Sequence, residues 1–297
     1  ASAVIGPAVR VEHHARADAV VLVGFVGHDI RLTGDVLLQD RDQRRLLEVV
    51  HNDRLGALGF AVNQCQHFHL VRTATGVIRL GDARLFADVG SVLLVGDTRA
   101  IKPKRALIAL DAFSRMPEGE RESAAEAAHQ AVEKLGLEST PVEVAPEGLD
   151  RWFTAFRHLQ ALEIWGNHAD WITQNNPSFG PGVKERFAYA ATLTDTDRAE
   201  HQPIRDIARA RVAELLGGGD AVIVMPTAPV SPKRDASNEE VEDFRARTMG
   251  LTCISGLSGC PQISLPLAEA GAPLGISLLA AHGGDEALLD MAVTLAS

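Results

Sequence analysis

From Lys104 onward, apolar runs of strand length alternate with amphipathic stretches of helical period, and this alternation limits what the chain can fold into more than any other feature. "KRALIALDAF" (104–113) reads as a buried strand. The Ala-rich stretch after it places Ala124, Ala128, Ala131 and Leu135 at helical spacing and stops at Gly136. "TPVEVAP" reads as a half-buried strand. A long helix is expected from Leu149 to Ile172, because Leu149, Phe153, Phe156, Leu159 and Leu162 share one stripe. Helices are also expected at "VKERFAYAATL" and at "PIRDIARARVAELLGGG", the latter opened by Pro203 and ended by Gly217. "DAVIVMPTAP" (220–229) is a strand ended by prolines, which cannot continue a ladder. Ser237 stands three residues before Glu240, the spacing of a capping box. The whole predicts an α/β fold, a mixed sheet covered by helices.

Near the end, "PQISLPLAE" and "PLGISLLAA" read as adjacent strands joined by the short connection "AGAP". Pro261 and Pro266 restrict the first to a sheet edge or to unpaired positions. Gly283 and Gly284 break the second, and Asp285 is expected to cap the closing helix.

The formal net charge of -10 and pI near 5.6 disfavour nucleic acid and anionic membranes, which need a clustered positive face. Three cysteines, Cys65, Cys253 and Cys260, argue against a disulfide framework and for a reducing compartment. The apolar run Ala19–Gly27 is too short to span a bilayer and follows no basic region. A cytoplasmic protein is expected. The missing initiator Met leaves a fragment or processed form open.

Composition changes near residue 86. Before it lie six of the eleven histidines and no lysine, and "ADAVVLVGF", "DVLLQD" and "GSVLLVGD" suggest short strands. Domain organisation is therefore expected as residues 1–86, of unassigned type, and residues 87–297. In "NQCQHFHL", Cys65, His67 and His69 alternate, so on a strand they would share one face and could hold zinc with His13, His14 or His51. The other reading is a solvated polar face with Phe68 and Leu70 inward.

The ordered segments "VIVMPTAP" (222–229), "GCP" (259–261), "ISLPL" (263–267), "APLGISLL" (272–279) and "GGDEALL" (283–289) resemble the C-terminal part of the amidase signature family. The "FRHLQALEIWGNHADWI" helix is similar to the matching segment of bacterial amidases and plant indole-3-acetamide-hydrolase-like proteins. The resemblance runs from about Ala87 to the end. It implies hydrolysis of a small amide to a carboxylic acid plus ammonia, without cofactor, and leaves a homo-oligomer open. It also implies a serine nucleophile, a second serine in a cis peptide, a neutral lysine base and a Gly/Ser-rich oxyanion loop. No "GGSSSG" segment is present, and none of Lys102, Lys104, Lys134, Lys184 or Lys233 follows an apolar strand as that base would. No catalytic residue is identified. By the resemblance, the loop around "SGLSG" borders the substrate pocket, so Cys253, Ser255 and Ser258 either line it or pack as small residues. The two functional expectations are an amidase-type hydrolase, truncated or rearranged, and a non-catalytic or metal-binding protein on an amidase-derived fold.

Overall fold

The computed structural model describes residues 22–24, 70–73, 76–78, 83–94, 101–180, 182–269 and 272–297. In chain order the elements are β1 (Leu22–Gly24), β2 (Leu70–Thr73), β3 (Gly76–Ile78), α1 (Ala83–Leu93), β4 (Arg105–Ala109), α2 (Leu110–Ser114), α3 (Glu118–Lys134) and β5 (Glu138–Val142). They continue with α4 (Leu149–Asn175), α5 (Val183–Ala190), α6 (Asp195–Leu216), β6 (Ala221–Pro226), α7 (Asn238–Ser258), β7 (Gln262–Glu269), β8 (Pro273–Leu279) and α8 (Asp285–Ala296).

All six residues of β6 and the last four of β4 are buried, as strands covered on both faces must be. They lie inside a five-stranded sheet of order β5-β4-β6-β8-β7. β4 runs parallel to β5 and β6, whereas β8 is antiparallel to β6 and β7, so the sheet is mixed. β4, β6, β7 and β8, which come from apolar runs read as strands, all lie in this sheet. β7 is an edge strand, as suits Pro266 within it, and it bulges between Pro266 and Ala268. β5 holds the other edge, which is why its first four residues are exposed. β1, β2 and β3 form a separate three-stranded sheet.

Helices α3 and α8 lie against the sheet, chiefly on β7. α6 meets β6, and α4 packs on α6 and α7. One core cluster joins them all, from Ala83 and Phe86 in α1 to Leu295 in α8.

Several segments depart from the sequence reading. "KRALIALDAF" is a strand only to Ala109, where α2 begins. Asp111 fixes that break: its carboxylate accepts the amides of Ala112 (3.1 Å), Val144 (3.1 Å) and Ala145 (2.8 Å). "GSVLLVGD" is helical through Leu93, because Ala83, Phe86 and Gly90 fall on one helical face directed at α8. Helix α6 begins at Asp195, not at Pro203, which sits inside it. Thr194 and Asp197 supply the start, with the Thr194 amide donating to Asp197 Oδ2 at 2.7 Å. Gly284, not Asp285, is the N-cap of α8, and Asp285 places its charge in the first turn.

Candidate functional site

The "PTAP" segment leaves the end of β6 in the middle of the sheet, and buried polar side chains gather there. Thr227 Oγ1 lies 2.6 Å from Ser264 Oγ and 2.7 Å from Ser277 Oγ, and Gln262 Nε2 donates to Ser277 Oγ at 2.8 Å. Ser264 and Ser277 are cross-strand partners in the β7–β8 ladder, which brings their hydroxyls to one spot. All four side chains are at least nine-tenths buried. The Thr227 amide donates to the Gly275 carbonyl at 2.8 Å, so the loop is tied to β8 through backbone as well. Such a network, satisfied within itself, fixes one register for three strands.

The second cluster is the end of α7. Gly259 closes the helix in the left-handed region (φ 74°) and its amide donates to Ser255 O at 2.8 Å. Ser258 donates to Ile254 O at 2.7 Å and accepts the Cys260 amide at 3.3 Å, while Ser255 donates to Cys260 O at 2.8 Å. Cys253 is fully buried with its thiol on Gly250 O at 3.2 Å. Burial pushes that thiol up to about 12, against the pull of the Arg115 charge, so it is neutral at pH 7. Burial pushes the Cys260 thiol up as well, opposed by the Ser258 hydroxyl. Ser255 and Ser258 are therefore closing groups of one helix-to-strand turn, whereas the Cys253 thiol bonds back within α7. Of the three, Ser255 alone keeps partial solvent access.

Cys65, His67 and His69 lie outside the described residues, as do His13, His14 and His51. Among the described residues no three His, Cys, Asp or Glu side chains are grouped to hold a metal. Trp152 is buried with Nε1 on Glu147 Oε1 at 2.6 Å, whereas Trp171 is exposed. Glu163 is exposed and accepts Arg205 Nη1 at 3.0 Å between α4 and α6.

A family model described as Amidase matches residues 93–289, more than half of the chain. The chain belongs to the amidase family. Amidase 1 of Oryza sativa subsp. japonica is 38% identical over 138 residues, covering 46% of this chain and 32% of that protein. Outer envelope protein 64, chloroplastic, of Arabidopsis thaliana is 33% identical over 139 residues, 46% of this chain and 23% of that protein. The chain thus spans a third or less of these two relatives. Among solved structures, one described as the crystal structure of amidase superposes with a TM-score of 0.61 at 22% identity, over 74% of this chain and 52% of that one. That likeness shows the fold.

The comparisons correct the expected cytoplasmic location. Relatives of this chain include outer envelope proteins of the chloroplast and, at 25% identity over 237 residues (70% of this chain, 39% of that protein), of the mitochondrion. Cysteine count and a short apolar run bear on secretion and redox state, and neither tells cytosol from an organelle surface. Among the described residues no helix is long and apolar enough to cross a membrane.

The Thr227 network is what sequence reasoning missed. Its motif segments were visible, but the meeting of Thr227, Gln262, Ser264 and Ser277 depends on strand order. The one available signal was polar residues at alternate positions, Gln262 and Ser264, inside an otherwise apolar strand.

Proposed function

We propose that this chain is a hydrolase of carbon–nitrogen amide bonds whose lineage acts on small amides, giving a carboxylic acid and ammonia without a cofactor. The family match over residues 93–289 carries the reading. In it, residues 87–297 are the amidase-like part and residues 1–86 stand where the family carries its Ser–cis-Ser–Lys core, so the chain is truncated or rearranged. Cys253, Ser255 and Ser258 belong to the lining of the substrate pocket in this reading, and Ser255 is the one of the three with partial solvent access. Nucleophile and base act as a unit, so loss of both removes several kcal/mol of transition-state stabilisation. The chain by itself is expected to show negligible turnover of benzamide or phenylacetamide, followed as ammonia release. Turnover that survives repurification and is blocked by a serine-directed fluorophosphonate would overturn the truncated reading and make a serine in this chain the nucleophile.

A further inference from the structure

Away from the β6 and α7 clusters, a groove of about 470 Å³ separates the C-terminal half of α4 from α5. Trp165 and Ile172 wall it from α4. Asn176 closes α4 in the left-handed region (φ 41°), a conformation asparagine tolerates, and the following turn carries Phe179 back to stack on Phe187 (centroids 4.7 Å apart, planes at 28°). The groove-facing stripe of α5 and its C-cap is Lys184, Phe187, Ala188 and Ala191, spaced i, i+3, i+4 and i+7. Ala188 and Ala191 are exposed, so the stripe is apolar and unfilled where larger side chains would close it. Lys184 stands on that stripe, exposed, and makes no salt bridge with a described residue. Its neighbour Glu185 directs its carboxylate to the Gly182 amide at 2.6 Å.

We propose that this groove binds a small aromatic carboxylate. The ring lies among Trp165, Phe179 and Phe187, and the carboxylate meets the Lys184 ammonium. The volume lies within the range of small-molecule sites, about 300–1,000 Å³. Three aromatic walls select a flat apolar body, and the Lys184 ammonium, the one cation among the lining residues, selects one negative charge over none. The inference does not depend on the hydrolytic reading, since binding here requires no nucleophile.

The test titrates the full chain with phenylacetate, with neutral phenylacetamide and with acetate, read by tryptophan fluorescence and calorimetry. Phenylacetate is expected to saturate with a dissociation constant on the order of 1 mM, as suits a ligand of about ten heavy atoms, with phenylacetamide weaker and acetate silent. Lys184 is exposed and its pairing is screened, so Lys184→Met is expected to weaken phenylacetate about threefold at low salt and leave phenylacetamide unchanged. Ala188→Trp is expected to abolish both, and Trp165→Phe to remove most of the fluorescence response while calorimetry still reports heat. No saturation by about 20 mM overturns the proposal. So does acid–amide discrimination that survives Lys184→Met, or binding that survives Ala188→Trp. A concentration-dependent dimer that Ala188→Trp disperses would assign the groove to a second copy of the chain instead.

Discussion

A methyl group added at residue 275 would sit 2.8 Å from both Ser264 Oγ and Thr227 Oγ1, and 3.0 Å from Thr227 Cβ. Those hydroxyls cannot simply swing aside, because each is buried and already bonded within the network. Gly275→Ala is therefore expected to destabilise the chain by about 1–3 kcal/mol as an overpacking change, seen as a lower urea midpoint at unchanged slope. Thr227→Val offers the complementary measurement. It keeps the shape of the side chain and leaves Ser264 and Ser277 short of a partner, at a similar cost of about 1–3 kcal/mol. If either variant stayed within about 0.5 kcal/mol of the parent, the network would not be what fixes the strand register. Nothing local in "PTAP" or "PLGIS" announces this crowding, since the three residues that meet there are brought together by pairing across the sheet.

Between α4 and α6, polar contacts accompany the apolar ones. The His158 and His201 rings lie 4.0 Å apart at 36°, His158 Nδ1 is 2.8 Å from Thr154 O, and Tyr189 of α5 meets the edge of His158. His201 is buried and its Nδ1 has no hydrogen-bond partner, so burial first, and then the charge of His158, hold its pKa below the ordinary value. Asp197 and Glu200 of α6 pull the other way, and Arg157 of α4 lies over Tyr189. The unfolded chain takes up a proton on this histidine near pH 6.5, but the folded chain resists until lower pH. Stability is thus greatest above about pH 6.5 and falls as pH drops toward the folded-state value. His201→Phe, which keeps a ring in the seam, should flatten the fall in urea midpoint between pH 7 and 5; an unchanged slope would mean His201 is not its source. Glu185, Asp197 and Glu240, lowered by hydrogen bonds to helix-start amides, lose their contributions only at more acid pH. At this scale the sequence was informative where the chemistry is local. The Ser237–Glu240 capping box is present, with the Ser237 amide on Glu240 Oε2 at 2.7 Å and the Glu240 amide on Ser237 Oγ at 3.2 Å. It failed where tertiary context decides: Pro203 suggested a helix start, but the Thr194–Asp197 pair begins the helix earlier and packing on α4 carries it through the proline.

Among the described residues, the cluster that holds the inner strands also holds Ala83 and Phe86 of α1 and the inner face of α8. The mixed sheet could be anticipated because its strands are apolar runs bounded by proline and glycine, and the edge position of β7 because proline lacks a donor. The docking of α1 could not, since "GSVLL" carries no period that separates strand from helix. The side-chain contact that settles it is the approach of Gly90 to Leu289, where an added methyl would fall 2.3 Å from Leu289 Cδ1. A helix seated that closely belongs to the same cooperative unit as the sheet. Phe86 is 1% exposed, so Phe86→Ala leaves a cavity under α1 and should cost about 3–5 kcal/mol. If the unit is single, the loss must appear at a site remote in sequence. In a chain carrying Trp165→Phe and Trp171→Phe, the fluorescence of Trp152, buried in α4, and the far-ultraviolet circular dichroism should shift to the same lower urea midpoint when Phe86→Ala is added. A Trp152 midpoint that stays in place while part of the helical signal melts early would separate α1 from the amidase core and make its docking a peripheral event.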